Sequence, residues 1–200
     1  RDGVNSGGHM NIPSGGISDV ERVEMQYPFL YFTRNHNRDG SGYGKYRGGV
    51  GSYRIFTIYG SQDFSADYKP YGAIPQAGFG LFGGYPVGSG GLRAIFETGP
   101  DFASRLKRGE YLTDIDDIES KGWGKTYLPE GSPERVSVPE FGLLADYVSG
   151  GGGYGDPLDR DPRAVVRDLR TGATSLEVAR SIYGVIVDAS TLSLDGAKTE

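Results

Sequence analysis

Two glycine-dense elements carry the side chains best placed to do chemistry. The first runs Arg38-Asp39-Gly40-Ser41-Gly42-Tyr43-Gly44-Lys45-Tyr46-Arg47-Gly48-Gly49. Lys45 and Arg47, set between flexible glycines, suit a carboxylate or phosphate gripped by backbone N–H groups and the guanidinium fork. The alternative is structural: Arg47 ties its loop to a neighbouring carboxylate. The second element is Gly150-Gly151-Gly152-Gly153-Tyr154-Gly155-Asp156-Pro157. Ordering such a run costs much chain entropy. A folded protein keeps one where the backbone needs left-handed dihedrals, or where another surface comes too close for any Cβ. A floppy linker is the third reading, and Tyr154 with the rigid Asp156-Pro157 argues against it. Arg47, Lys45, Tyr154 and Asp156 are thus candidates to lie near substrate or phosphate. Gly150, Gly151, Gly152, Gly153 and Gly155 form the candidate glycine loop.

Other motifs fail on their surroundings. Gly78-Phe79-Gly80-Leu81-Phe82-Gly83 matches G-x-G-x-x-G, but dinucleotide binding needs a helix opening there. Gly84-Tyr85-Pro86 follows instead, which predicts a tight turn with aromatic packing. Gly124-Lys125-Thr126 looks like the end of a phosphate-binding loop, yet its first glycine would be Glu119. Asp114, Asp116 and Asp117 lack the central glycine of a calcium loop and read as a solvated helix start. His9 and His36 are the only histidines and show no metal-ligand spacing. Without cysteine there is no thiolate nucleophile or thiolate metal site. No Gly-x-Ser-x-Gly elbow is present either. No metal site is expected in this chain.

The elements that must position these loops are mostly strands. Residues 26–33 and 52–59 are rich in aromatic and β-branched residues, the first starting near Pro28, which suits a strand start or an edge. Residues 92–97, 136–138 and 142–148 also read as strands. Residues 17–25 suit a helical turn or two, and 101–108 one turn. Residues 60–91 form a long stretch punctuated by glycine and proline. The tail is helical. Asp161 is an N-cap with Pro162 at the first helical position, and the helix should run to about Arg170 and stop near Gly172. Thr174 is expected to cap a second helix through a capping box with Glu177, ending by Gly184. Residues 185–187 read as a last short strand and 192–200 as frayed. The expected fold is α+β, mainly β with long Gly-rich loops and two short C-terminal helices. Residues 1–149 form an irregular β-rich core region and 150–200 the Gly-rich loop plus helical tail, together one continuous domain.

Composition bounds the partners. Glycine reaches 34 of 200 residues and hydrophobic content is 36%, but 14 Tyr and 9 Phe supply large burial areas. Net charge is −5, which argues against a phosphate-backbone partner, so no nucleic acid is expected. No basic block or long apolar run points to a membrane. Absence of cysteine fits a reducing cytoplasm. The chain opens Arg1-Asp2-Gly3, with no initiator Met and no signal-peptide pattern, and is expected to be a fragment, a processed chain or a renumbered part of something longer.

In order along the chain stand His9-Met10, Tyr27-Pro28, the Gly42 to Gly49 element, Gly80-Leu81-Phe82-Gly83-Gly84, Gly150 to Pro157, Asp161-Pro162 and Val178-Ala179-Arg180-Ser181-Ile182-Tyr183-Gly184-Val185. This order resembles the C-terminal third of the hydantoinase B/oxoprolinase family, over nearly the whole chain. The first element departs from the family wording, Pro-Asp-Ser-Gly-Gly followed by Gly-Arg-Tyr-Arg-Gly-Gly. Residues 25–32 and 82–86 look more like the carboxylase branch. The resemblance implies a subunit that pairs with a hydantoinase A-type nucleotide-binding subunit and with the remaining N-terminal part of its own subunit. It implies ATP-dependent activation of a carbonyl or enol oxygen of a small-molecule substrate. The outcome is hydrolysis of a cyclic amide such as a hydantoin, 5-oxoproline or a lactam, or, as in acetone and acetophenone carboxylases, joining of bicarbonate to a ketone. ATP and a divalent metal belong to that complex, and the resemblance puts both outside this chain, the family's ligand His and Asp residues lying in the N-terminal part.

Two readings follow. In one, the chain is part of such an enzyme, inactive when isolated. In the other, it is a non-catalytic assembly segment whose glycine loops pack against partner subunits.

Overall fold

The clearest strand, residues 52–58, alternates buried Tyr53, Ile55 and Thr57 with half-buried Ser52, Arg54 and Phe56. That period of two is what a sheet with two different faces requires. A computed structural model describes residues 1–5, 19–62, 64–68, 78–87, 93–98, 101–127, 134–148, 150–195 and 199. Its elements are α1 (Val20–Gln26), β1 (Phe29–His36), β2 (Ser52–Ile58), β3 (Phe64–Tyr68), β4 (Arg93–Thr98), α2 (Phe102–Lys107), α3 (Asp117–Ser120), β5 (Gly124–Tyr127), β6 (Glu134–Val138), β7 (Leu143–Val148), α4 (Pro162–Arg170) and α5 (Leu176–Ser181). The fold is α+β, as expected.

Five strands make an antiparallel sheet in the order β1-β2-β7-β4-β5, and β3 pairs with β6 in a second, two-stranded sheet. In the large sheet Tyr53 opposes Tyr147 and Ile55 opposes Ala145. One face carries Tyr53, Ile55, Leu143 and Ala145, covered by Phe102, Leu112, Ile118 and Trp123. The Arg105 guanidinium lies 3.7 Å from the centre of the Trp123 ring and roofs it with a cation–π contact. The other face packs Ile58 and Leu144 against Val138, with Phe29, Phe56 and Phe64 around them. Arg54 and Asp146 pair across β2 and β7. Among the described residues no helix is long and apolar enough to cross a membrane.

The helical tail builds a separate apolar cluster from Val165, Leu169, Ala179, Tyr183 and Val185. Asp161 caps α4 by accepting from Arg163 N at 2.9 Å, with Pro162 at the first position. The helix ends at Gly172, φ +73, where Gly172 N donates to Leu169 O and Ala173 N to Asp168 O. These two bonds form a Schellman motif, which a left-handed residue at this point makes possible.

Several boundaries differ from expectation. The first strand begins at Phe29 because α1, capped by Asp19, extends through Gln26. Ser175, not Thr174, caps α5: its side chain accepts from Val178 N at 3.2 Å. Thr174 is turned into the interior, and the Asp39 carboxylate accepts from Ser175 N at 2.9 Å, which fixes the entry to α5 one residue later. Residues 185–187 make only an isolated bridge, Val187 to Leu194. Residues 192–195 do not fray; Asp195 N donates to Ile186 O at 2.9 Å and Leu192 packs on the tail cluster.

Candidate functional site

The glycine run meets the rest of its own chain. Gly42 N donates to Gly151 O (2.8 Å), Tyr46 and Tyr154 exchange backbone bonds (3.0 and 2.9 Å), and Leu81 N donates to Gly153 O (2.9 Å). Gly153 N donates to Tyr85 O (3.0 Å), and Tyr85 N to Tyr43 O (2.7 Å). Three irregular segments, residues 40–51, 78–87 and 150–156, thus satisfy one another's backbone groups without forming a regular sheet. Side chains could not be accommodated at the contacts. A Cβ on Gly153 would lie 1.9 Å from Tyr43 O, and one on Gly48 the same distance from Gly151 O. Close approach, one of the two reasons for such a run, holds at Gly153; the other, a left-handed dihedral, holds at Gly155 with φ +75. The surface approached is the chain's own loops.

Arg47 is committed to a carboxylate. Its Nε lies 3.0 Å from Asp168 Oδ1, with both side chains largely buried, although the N–H is not aimed straight at that oxygen. Its Nη1 donates to Gly48 O at 2.9 Å. The geometry matches the reading in which Arg47 ties its loop to a neighbouring carboxylate. Lys45 stands apart: its Nζ is 3.9 Å from Asp159 Oδ2 and both groups are solvated. It lines an open cavity of about 480 Å³ with Tyr46, Asp159 and Arg167. Tyr154 stands about half exposed, its ring 5.1 Å from that of Phe82 and 6.3 Å from that of Tyr46. Asp156 is exposed and caps the 3₁₀ turn Pro157–Asp159, accepting from Leu158 N at 2.9 Å. Arg47 and Lys45 flank Tyr46, the residue that Tyr154 pairs with, while Asp156 is spent on its own turn.

The centre that the sequence reading missed is a buried ionic cluster. Arg160 Nη1 and Nη2 grip Asp2 Oδ1 and Oδ2 at 2.7 and 2.9 Å, and Nη2 also donates to Asp168 Oδ2 at 2.6 Å. Nη1 further donates to Lys45 O at 3.1 Å. Asp2 accepts from Arg47 N at 3.1 Å, so the cluster bolts the N-terminal residues, the first glycine loop and α4 together. Burial works against the Arg160 charge, but the hydrogen bond to Asp2 and the charges of Asp168 and Asp2 outweigh it and raise its pKa. Burial likewise opposes the Asp2 charge, yet Arg160 and Arg47 hold its carboxyl below the usual range. Burial pushes the phenols of Tyr43 and Tyr183 up to about 12. One signal was readable: Asp168 falls on the buried stripe of α4, between Val165 and Leu169, and a carboxylate there demands a partner.

The remaining motifs behave as structural elements. Residues 78–83 form no helix; Gly84 N donates to Leu81 O and closes a tight turn. Lys125 lies within β5, so no phosphate cradle forms. Asp117 opens α3 and pairs with Lys121 at 2.9 Å. His36 ends β1, and His9 lies outside the described residues. Among the described residues no group of three or more His, Cys, Asp or Glu could hold a metal ion.

The hydantoinase B/oxoprolinase family matches residues 1–157, and the chain belongs to that family. It is 31% identical over 197 residues to the acetone carboxylase alpha subunit of Xanthobacter autotrophicus, covering 94% of this chain and 25% of that one. It is 29% identical to the acetophenone carboxylase delta subunit of Aromatoleum aromaticum, covering 98% and 29%. Against the caprolactamase subunit beta of Pseudomonas jessenii it is 30% identical, covering 90% and 27%. The chain thus spans between a quarter and a third of the length of these relatives. The structure superimposes on a nucleotide-free acetone carboxylase with TM-score 0.83 at 26% identity, over 100% of this chain and 27% of that one. The fold also matches an ATP-dependent caprolactamase with TM-score 0.58.

Proposed function

We propose that this member of the hydantoinase B/oxoprolinase family is a segment of a subunit in an ATP-dependent carboxylase or cyclic-amide hydrolase complex, with ketone carboxylation the favoured outcome. The observation that carries the reading is the match to acetone carboxylase over the entire chain. ATP supplies the complex with a way to turn a carbonyl or enol oxygen into a phosphate leaving group. A hydantoinase A-type subunit is the proposed nucleotide-binding partner, and neither ATP nor a divalent metal is assigned to the described residues.

Within that complex the segment's own contribution is rigidity. The glycine loops consume their backbone groups on one another, and Arg47 spends its charge on Asp168. This favours a structural role for Arg47 inside the chain, whereas Lys45, exposed and 3.9 Å from a solvated Asp159, is placed to exchange that partner for a carboxylate or phosphate. Consumption of ATP by the purified native complex tests the activity. ATP use that requires both a ketone and bicarbonate is expected. ATP use with a lactam or hydantoin alone would shift the proposal to hydrolysis, and no ATP use with either class would refute it. Arg47→Ala and Lys45→Ala in the whole complex separate the roles. Arg47→Ala is expected to lower the melting temperature of the complex by loosening the glycine–helix end, whether or not turnover survives; Lys45→Ala is expected to lose turnover with stability and assembly intact.

A further inference from the structure

The end of β1 runs into a fixed turn. Asn37 N donates to Gly51 O at 2.9 Å and Asp39 N to Ala173 O at 3.1 Å. The backbone that carries His36 and Arg38 is thus anchored to the start of β2 and to the helical end. In the loop before α3, Asp116 N donates to Asp114 Oδ1 at 3.2 Å. The turn and this loop share a cavity of about 200 Å³, lined by His36, Arg38, Tyr53, Asp114, Asp116 and Thr171 among others. Tyr53 is 5% exposed and belongs to the core of the sheet. Its phenol donates to Asp114 and accepts from the Ile115 N–H, and burial, followed by the Asp114 charge, raises its pKa. The Asp114 carboxylate is therefore held in place by a core residue. Among the described residues, the Arg38 guanidinium, the His36 imidazole and the Asp116 carboxylate make no hydrogen bond or ion pair. Opposite charges line one cavity without neutralising each other.

We propose that this cavity binds a small zwitterion of the α-amino-acid class, its carboxylate on Arg38 and its ammonium on Asp114 and Asp116. A simple anion would be repelled by the two aspartates and a simple cation by Arg38, so a ligand carrying both charges answers both ends. A planar guanidinium takes a carboxylate in two parallel bonds, and an ammonium brings three donors to the acidic side. The last turn of α4, at Thr171 and Gly172, adds the negative end of a helix dipole to the same cavity. Size agrees with this class: at about 30 Å³ per water-sized group the space admits about six or seven heavy atoms, as in glycine, alanine or serine. The walls come from β1, β2 and the α3 loop of the sheet region and from the end of α4, so a bound ligand touches both halves of the molecule.

The test is calorimetric titration of the complete subunit with glycine, L-alanine and L-serine, and separately with acetate and methylammonium. Saturable binding of at least one amino acid is expected, with acetate and methylammonium weaker by about tenfold or more. Arg38→Gln and Asp116→Asn change exposed side chains and should leave the melting temperature without ligand unchanged. Each should weaken amino-acid binding by about tenfold or more. Hydrogen exchange with the amino acid bound should slow in residues 113–117 and 171–173 together. The proposal is overturned by absence of binding by all three amino acids, by acetate or methylammonium binding as tightly as the best of them, by unaltered binding in either variant, or by protection confined to other segments. None of these readouts uses ATP turnover, so the outcome is independent of the carboxylase or hydrolase reading.

Discussion

The sheet and the glycine–helix end are held together by different physics. Around the large sheet, large side chains do the packing: Phe102, Leu112, Ile118 and Trp123 fill the space above Ile55 and Leu143. At the other end a small apolar cluster under α4 and α5 is joined to loops packed backbone against backbone, with a buried ionic cluster as the fastening. Apolar packing tolerates exchanges of similar volume. Interlocked main chain and buried charge do not, since each has one geometry that satisfies its polar groups. The comparison teaches that a chain poor in hydrophobic residues can still build a rigid region by substituting proximity for side-chain volume.

Substitutions can break that contrast, and the largest effect is expected at Asp168. Asp168→Ala leaves Arg160 and Arg47 without their shared carboxylate, at a cost of about 3–5 kcal/mol. Chemical denaturation followed by Trp123 fluorescence and by far-UV circular dichroism should reveal the helical end melting first. Coincident transitions would mean that the two regions are one cooperative unit. Ile55→Ala should cost about 2–5 kcal/mol through lost burial and a residual cavity, and here the Trp123 signal should move first. Gly153→Ala is expected to cost about 1–3 kcal/mol or more, because its methyl meets the Tyr43 carbonyl oxygen rather than a flexible side chain. A variant as stable as the parent would remove the case for close approach. Asp161→Ala removes one N-cap and should lower stability by about 1 kcal/mol, readable as a modest loss of helical signal.

The smallest effect is acid sensitivity. The carboxyl of Asp2 sits below its ordinary value of 3.8, so its contribution is fully present above that value and is lost as pH falls through its depressed folded value. Asp188, held at about 2 by Ser190 and Thr191, behaves the same way in its surface turn. Melting temperature measured on acidification below about pH 4 should fall first in signals from the helical end. An equal fall in the Trp123 signal would mean that the ionic cluster supports both regions.

Locally determined features were legible in the sequence. The Asp161-Pro162 start and Gly172 stop of α4 follow from chemistry within a few residues. So do the alternation of β2, the turn at residues 81–84 and the failure of Gly124-Lys125-Thr126 as a cradle. The capping position at the next helix was off by one because Asp39, far upstream, binds Ser175 N. The α+β class was readable from the order of strands and helices. The candidate loops were recognised as special by composition, but their partners were not.

The sequence by itself marked residues 150–155 as a run kept for close approach or for left-handed dihedrals, with Tyr154 and the rigid Asp156-Pro157 arguing against a linker. Only the tertiary structure decided what comes close, namely residues 40–51 and 78–87 of the same polypeptide. It also decided that Arg160 meets Asp2 across 158 positions. The reason is range: helix caps and turns are settled by neighbours along the chain, whereas buried charges and backbone contacts depend on which distant segments the whole fold brings within hydrogen-bonding distance.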